Sequence, residues 1–208
     1  MEGEGTREWL GASVPGTRTQ YEQAVAPGRL PSYRRRMGRL RRLKGTGGHL
    51  LDIGAATGDF MAVAARSGWE AEGVEVSAYA CRRAHWQYGL TLFNGELKEY
   101  CQTEKGTFDV VHMAHVLEHF TAPDRALVMV RSLLEYNGIV VIEVPNQFEA
   151  WVNRLRYAVA QPFFSRRRKP DVHSIHHTYF FEPHHIEALL SQQGFRVIDK
   201  QTFFFRSD

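Results

Sequence analysis

Residues 51–60, Leu-Asp-Ile-Gly-Ala-Ala-Thr-Gly-Asp-Phe, decide the fold of this chain. A short apolar run leads into the segment, Gly54 and Gly58 frame a loop, and apolar residues at helical spacing begin at Phe60. Glycine lets the backbone come close to a ligand, and the N-terminus of the next helix offers N–H groups and a partial positive charge to an anion. The segment therefore predicts a buried strand, a ligand-binding turn and a helix.

The spacing of the glycines narrows the class of ligand. A dinucleotide-binding loop has the pattern GxGxxG, and residues 54–58 lack its middle glycine, which admits the pyrophosphate. A carboxylate suits this loop better. Glu75 lies seventeen residues after Gly58 at the end of the next strand pattern, where its carboxylate can accept hydrogen bonds from ribose hydroxyls. The glycine loop and the strand-end acid agree on one ligand site.

Strand and helix patterns alternate along the rest of the chain. We predict five strands, at residues 49–53, 71–76, 90–94, 108–112 and 139–144. One predicted helix runs from Tyr33 to about Gly45, and another runs from Pro123 through Leu134 until Gly138 breaks it. This alternation is typical of an α/β fold with a doubly wound, mainly parallel sheet, in which ligands bind at the carboxyl ends of the strands.

The domain organisation follows from length and composition. A chain of 208 residues with 43% hydrophobic residues can bury one substantial core. Residues 1–32 are predicted to be a flexible N-terminal arm, because they are rich in Gly, Pro, Thr and Ser and show no sustained period. Residues 33–208 form the predicted domain, with an N-terminal helix as a lid and a cap at about 147–176 inserted after the fifth strand.

Several classes of protein are excluded. The N-terminus lacks a basic region followed by an apolar run, so no signal peptide is predicted. The longest strongly apolar stretch, residues 139–144, is far shorter than the roughly 20 residues of a membrane-spanning helix. The two cysteines, Cys81 and Cys101, lack CxxC spacing, which favours reduced thiols. We expect a cytoplasmic protein without a membrane span.

The basic residues are unevenly distributed. Segments 29–44 and 154–169 hold 14 of the 26 basic residues and no acid, so the remainder carries 12 basic residues against 23 acids. Clustered charge concentrates the opposite sign, and the two segments could therefore contact an anionic partner such as a nucleic acid or an anionic membrane surface. Exposed, solvated helices would show the same pattern, and both interpretations stay open.

Further motifs accompany the glycine loop. They are Gly73-Val74-Glu75-Val76-Ser77, Phe108-Asp109-Val110-Val111, Val116-Leu117-Glu118-His119, Val144-Pro145-Asn146, and Tyr179-Phe180-Phe181 followed by Leu189-Leu190 and Gly194-Phe195. With these motifs the chain resembles class I S-adenosylmethionine-dependent methyltransferases from about His49 to Phe204, in particular the Val-Leu-Glu-His branch with its ubiquinone-pathway-type and related small-molecule O-methyltransferases. The resemblance implies a Rossmann-like methyltransferase fold and S-adenosyl-L-methionine as the cofactor.

The resemblance also implies cofactor-binding residues. The Gly54 loop would hold the methionine part, Glu75 the ribose hydroxyls, and residues 94–97 would border the adenine. The full implied set is Asp52, Gly54, Ala55, Gly58, Glu75, Val76, Glu96, Leu97 and His112. One departure is Ala56, a position at which the family often has glycine.

Histidines cluster directly after the fourth predicted strand. If this segment is helical, His115, Glu118 and His119 lie at i, i+3 and i+4 on one face. The string also fits the HxxEH pattern of some zinc peptidases, but a five-residue pattern arises by chance and we set it aside. We predict His119 as a catalytic general base, with His115 as the second catalytic residue, because imidazole with a pKa of about 6.5 can take a proton from an acceptor hydroxyl.

A metal site is the alternative for this cluster. The segment resembles the Glu-x-x-Glu-His of small-RNA 3′-terminal 2′-O-methyltransferases, which a distant histidine completes, and this implies a site of His115, Glu118, His119 and His177. Imidazole in place of the first carboxylate favours zinc, iron or nickel over magnesium. Many Val-Leu-Glu-His relatives need no metal, so the prediction is no metal.

The acceptor is the least determined feature. We favour methylation of a hydroxyl on a small molecule or sugar, with anionic and lipid-linked acceptors included. A nucleic-acid methyltransferase of the RNA 2′-O type and a noncatalytic cofactor-binding protein stay open, because a fold alone does not establish activity.

Overall fold

The structure is a computed structural model that describes residues 30–103, 106–145, 178–179 and 181–201. The predicted cap at 147–176 and residues 1–29 of the predicted arm lie outside the described residues. The helices are α1 (Leu30–Lys44), α2 (Asp59–Arg66), α3 (Ala78–Tyr88), α4 (Leu97–Tyr100), α5 (Pro123–Leu133) and α6 (Pro183–Gln192). The strands are β1 (Gly48–Ile53), β2 (Trp69–Glu75), β3 (Phe93–Asn94), β4 (Phe108–Ala114) and β5 (Leu134–Glu143).

The five strands form one parallel sheet in the order β3-β2-β1-β4-β5. The prediction of an α/β fold with a doubly wound parallel sheet is confirmed. The order reverses between β1 and β4, which are neighbours with Asp52 opposite His112. A crevice forms outside the carboxyl ends of the strands at such a reversal, and ligands bind there.

Successive residues of the central strands point to opposite faces of the sheet, which gives two cores. On one face, Leu50 of β1 and Val110 of β4 pack with α1 and α2. On the other face, Leu51 and Val111 pack with α5 and parts of α6. All four side chains are fully buried, so the near-continuous apolar strand pattern reflects helices on both faces.

Helix α1 is fixed to the body of the domain. Its apolar residues Met37 and Leu40 are buried, and three of its basic residues, Arg36, Arg39 and Lys44, form ion pairs with distant acids. Arg39 bonds Asp199, and Lys44 lies 3.4 Å from Asp109. The helix starts at Leu30, three residues before the predicted start. No helix in the described ranges has both the length and the apolar character needed to cross a bilayer.

Several predicted strand boundaries differ from the structure by one or two residues, and two larger differences have a structural cause. Helix α5 ends at Leu133, and Leu134 already belongs to β5, whereas the helix was predicted to continue to Gly138. The reason is tertiary: Leu134 has extended backbone angles and pairs with Phe108 of β4. Strand β3 comprises Phe93 and Asn94 alone, shorter than the predicted 90–94, because these two residues are the ones that pair with β2.

Candidate active site

The glycine loop lies at the carboxyl end of β1, beside the strand-order reversal. Gly54 and Gly58 have φ angles of 72° and 76°, in the left-handed region that favours glycine. A Cβ atom on Gly54 would also overlap the side chain of Val116. Ala56 adopts a φ of 49° between them, an uncommon angle for a residue with a Cβ. The loop conformation thus requires glycine at position 54 and strains position 56.

The loop leads into the N-terminus of α2. Gly58 occupies the N-cap and has no side chain, so no side-chain hydrogen bond caps the first turn of α2. Asp59 in that turn accepts hydrogen bonds from Thr57 Oγ1 at 3.1 Å and from the Tyr88 hydroxyl. Burial, together with Asp59, raises the pKa of Tyr88 to about 12. Because no side chain caps it, the first turn of α2 can donate its N–H groups to a carboxylate.

Glu75 ends β2 next to the loop, as the sequence predicted, and is 4% exposed. Its Oε2 accepts a hydrogen bond from the Ala56 N–H at 2.8 Å, and its Oε1 accepts one from the Ser77 N–H at 2.8 Å. The bond to Ala56 is not visible in the sequence, because residue spacing does not report a contact between the end of β2 and the glycine loop. Glu75 thus fixes the loop. Each carboxylate oxygen can accept two hydrogen bonds, so these bonds do not by themselves exclude ribose hydroxyls.

His112 lies beneath the loop in β4. Its Nδ1 is 2.6 Å from Asp52 Oδ1, and its ring stacks on Phe60 with centroids 4.0 Å apart. His112 and Asp52 are only 2–3% exposed. Within the part of the chain that the structure describes, His112 Nε2 is buried without a hydrogen-bond partner. Two predicted cofactor-binding residues therefore form a buried pair beneath the loop.

The predicted adenine border lies at the start of α4. Glu96 occupies the N-cap of this short helix, and Leu97 is 3% exposed in the core. Asn94 donates from its amide to the carbonyl oxygens of Glu75 and Val76, at 3.0 Å each. The segment is therefore tied to the end of β2, on the same side of β1 as Glu75.

The histidine segment after β4 does not form the α-helix considered above. Residues 117–119 make a single 3₁₀ turn, and His115 has a φ of 57°, which breaks any continuous helix. The N–H of His115 bonds the Glu143 carbonyl oxygen at 2.8 Å, which helps to hold this angle. His115 Nδ1 still lies 3.7 Å from a carboxylate oxygen of the buried Glu118. His119 is half-buried on the same turn.

The metal alternative stays a prediction, because His177 lies outside the described residues. In the described ranges, one group of three or more candidate ligands has its donor atoms within 4.8 Å of one another, and it consists of Glu182, His184 and His185 at the start of α6. Both histidines of this group are exposed to solvent. The group lies on a different element from His115, Glu118 and His119.

A family model described as a methyltransferase domain matches residues 26–200. The chain belongs to the methyltransferase family. S-adenosylmethionine is the cofactor, and the site of this methyltransferase fits it on two structural grounds. The uncapped first turn of α2 suits the carboxylate of its methionine part, and the carboxylate of Glu75 suits the ribose. No curated protein sequence matches the chain.

Solved structures share the fold of this methyltransferase. A methyltransferase from Thermotoga maritima, described as a possible histamine N-methyltransferase, aligns with a TM-score of 0.60 and 20% identity over 86% of this chain and 77% of its own. A methyltransferase from Archaeoglobus fulgidus aligns at 0.58 and 22%, over 79% and 69%. The sugar N-methyltransferase KedS8 from Streptoalloteichus aligns at 0.54 and 17%, over 68% of this chain and 59% of its own. The chain thus spans about three fifths of the length of the sugar enzyme.

Proposed function

We propose that this protein transfers the methyl group of S-adenosylmethionine to a hydroxyl oxygen of a small molecule or sugar. The observation that carries the proposal is that the reversal of strand order divides the carboxyl edge of the sheet into two sides. The glycine loop and Glu75 lie on the β1–β2 side, and His119 follows β4 on the other side. A cofactor on the first side leaves the second side for the acceptor.

The local geometry supports the proposed cofactor-binding roles. The first turn of α2 would bind the methionine carboxylate, and Glu75 would accept from ribose hydroxyls while it holds the Ala56 N–H. Ala55 and Gly58 shape the wall of the loop. Val76 and Glu96 border the adenine, whereas Leu97 acts from within the core because its side chain is buried.

The chemistry requires an activated oxygen. When bound, the cofactor supplies an electrophilic methyl group on a positively charged sulfur. His119 accepts the proton of the acceptor hydroxyl as the oxygen attacks, and His115, exposed on the same segment, contacts the acceptor. Binding of the cofactor and the acceptor in one crevice also lowers the barrier, because it holds the two reactants close together in the right orientation.

Two of the similar structures are named for methylation of nitrogen, the proteins from Streptoalloteichus and Thermotoga maritima. The Streptoalloteichus protein is a sugar N-methyltransferase, which supports a sugar-sized acceptor for this fold. A neutral amine attacks without prior loss of a proton, whereas a hydroxyl requires a base. The histidine beyond β4 therefore favours the hydroxyl for this chain.

Two measurements test the proposal. Calorimetric titration with S-adenosylhomocysteine, the demethylated cofactor, is expected to show micromolar binding, and the same titration with NAD should show none. Turnover is then measured on pairs of sugars that differ by amino against hydroxyl at one carbon. Methylation of the amino members alone would contradict the choice of oxygen. Binding of the cofactor without turnover on any acceptor would leave a noncatalytic cofactor-binding protein.

His119→Ala separates binding from chemistry. We expect turnover to fall by about 10² to 10⁴, the usual contribution of a general base, while the Kd for S-adenosylhomocysteine stays the same. A chelator should leave the wild-type rate unchanged. Loss of the rate in chelator, restored by a divalent ion and reproduced by His177→Ala, would establish the metal alternative instead. Full turnover by His119→Ala would exclude both roles.

A further inference from the structure

We propose that Arg36 of α1 is a positioning residue for cofactor binding, acting on the glycine loop through Phe60 and His112. The proposal rests on the cofactor site described above. Arg36 and its partner Glu143 lie outside the motifs of the chain, and the proposal assigns α1 a role beyond covering the sheet.

His112 connects the two ends of the glycine loop. Asp52 lies in β1 just before the loop and accepts a hydrogen bond at 2.6 Å from Nδ1 of His112. Phe60 lies in the first turn of α2 just after the loop, and its ring stacks on the imidazole at 4.0 Å with an interplanar angle of 29°. One imidazole therefore contacts a residue on each side of the loop at 54–58.

Helix α1 completes this cluster from above the sheet. The Arg36 guanidinium lies 6.0 Å from the centre of the Phe60 ring and 5.3 Å from that of Tyr33, and the two rings are 5.9 Å apart. Phe60 is 4% exposed, so these groups enclose it. Cation–aromatic attraction is strongest where water is excluded, and Phe60 is consequently held against His112.

The partner of Arg36 anchors the cluster at the carboxyl edge. Both Nε and Nη2 of Arg36 donate to the carboxylate of Glu143, the last residue of β5. The backbone carbonyl of Glu143 in turn accepts from the N–H of His115. A two-bond fork fixes the plane of the guanidinium, which a single-point cation would not do.

A second ion pair of α1 provides a matched control. Arg39 bonds Asp199, at 2.5 Å for the shorter contact, three residues further along the same helix. Loss of either pair loosens α1, and loss of Arg36 alone also releases Phe60. Arg34, exposed on the same helix, controls for the removal of a positive charge.

The test measures Kd for S-adenosylhomocysteine and melting temperature for Arg36→Ala, Arg36→Lys, Arg39→Ala and Arg34→Ala in the full chain. We expect Arg36→Ala to weaken binding about fivefold, a typical size for coupling between sites. Arg36→Lys should recover part of the loss. Arg39→Ala should lower the melting temperature with Kd within about twofold of wild type, and Arg34→Ala should change neither quantity.

The nitrogen and carbon NMR signals of the His112 ring give a second readout that needs no ligand. They should shift in Arg36→Ala and stay in place in Arg39→Ala. Equal effects of the two variants on Kd, or unshifted His112 signals in Arg36→Ala, would overturn the proposal. If the wild-type protein binds no S-adenosylhomocysteine, the proposed function fails, while the NMR comparison still decides whether Arg36 positions His112.

Discussion

Replacement of Glu75 by glutamine tests the central contact of the site. The carboxylate accepts from the N–H groups of Ala56 and Ser77, both at 2.8 Å, and is buried. Glutamine keeps one acceptor oxygen and places an NH₂ group opposite the other N–H. One charge-assisted bond is lost and the second loses its charge, which should cost about 2–3 kcal/mol of unfolding free energy. For a domain of this size that corresponds to a melting temperature lower by roughly 5–10 °C.

The assay is thermal unfolding of Glu75→Gln beside calorimetric titration with S-adenosylhomocysteine. Glu70→Gln serves as the control, because Glu70 lies on the same strand with a side chain that is 80% exposed. We expect Glu70→Gln to melt like wild type and Glu75→Gln to bind about tenfold more weakly. A melting temperature of Glu75→Gln within 1 °C of wild type would refute the role of this carboxylate in holding the loop. A lower melting temperature with unchanged Kd would contradict the contact of Glu75 with the ribose but not its role in holding the loop.

Three further predictions concern strain and titration. Ala56→Gly should raise the unfolding free energy by about 0.5–1 kcal/mol in chemical denaturation, because it relieves the φ of 49°. Burial raises the pKa of Cys81 from 9.0 to about 11, so in a Cys101→Ser background we expect alkylation at pH 8 to be roughly 100-fold slower than for a free thiol and to accelerate toward pH 11. The backbone N–H of His49 lowers the pKa of Asp109 below 3.8. The stabilisation from this bond is present above about pH 3.8 and is lost as the pH falls through the lower pKa that Asp109 has in the folded protein. Asp109→Asn should therefore make the unfolding free energy depend less steeply on pH in the acid range.

The fold was predictable where one short-range pattern determines an element. The apolar run before Gly54, the two glycines and the spacing of Phe60 and Val63 predict β1, the loop and α2, and the structure confirms them. The junction at Leu134 was not predictable in this way. Helical spacing includes Leu134, and only its pairing with Phe108, which lies far away in sequence, places it in a strand.

The sequence predicts where the site lies but not which contacts its residues make. The position of Glu75 at a strand end follows from the sequence, but its bond to Ala56 depends on how two loops meet. The left-handed angle of His115 depends on the Glu143 carbonyl of a neighbouring strand, so the expected helix could not be excluded beforehand. Arg36 carried no signal either, since one arginine among many in α1 looks like the rest.

The strand order also has a consequence for folding kinetics. Strand β1 pairs with β2 through Leu50 and Ala71, close in sequence, but with β4 through Leu50 and Val110, sixty residues apart. The closure of the longer loop costs more chain entropy and belongs to a slower step, so we expect β1, β2 and their helices to associate first. The crevice is then completed only when β4 docks. If unfolding reverses this order, β4 separates from β1 first, and we expect a molecule bound across the crevice to slow that step.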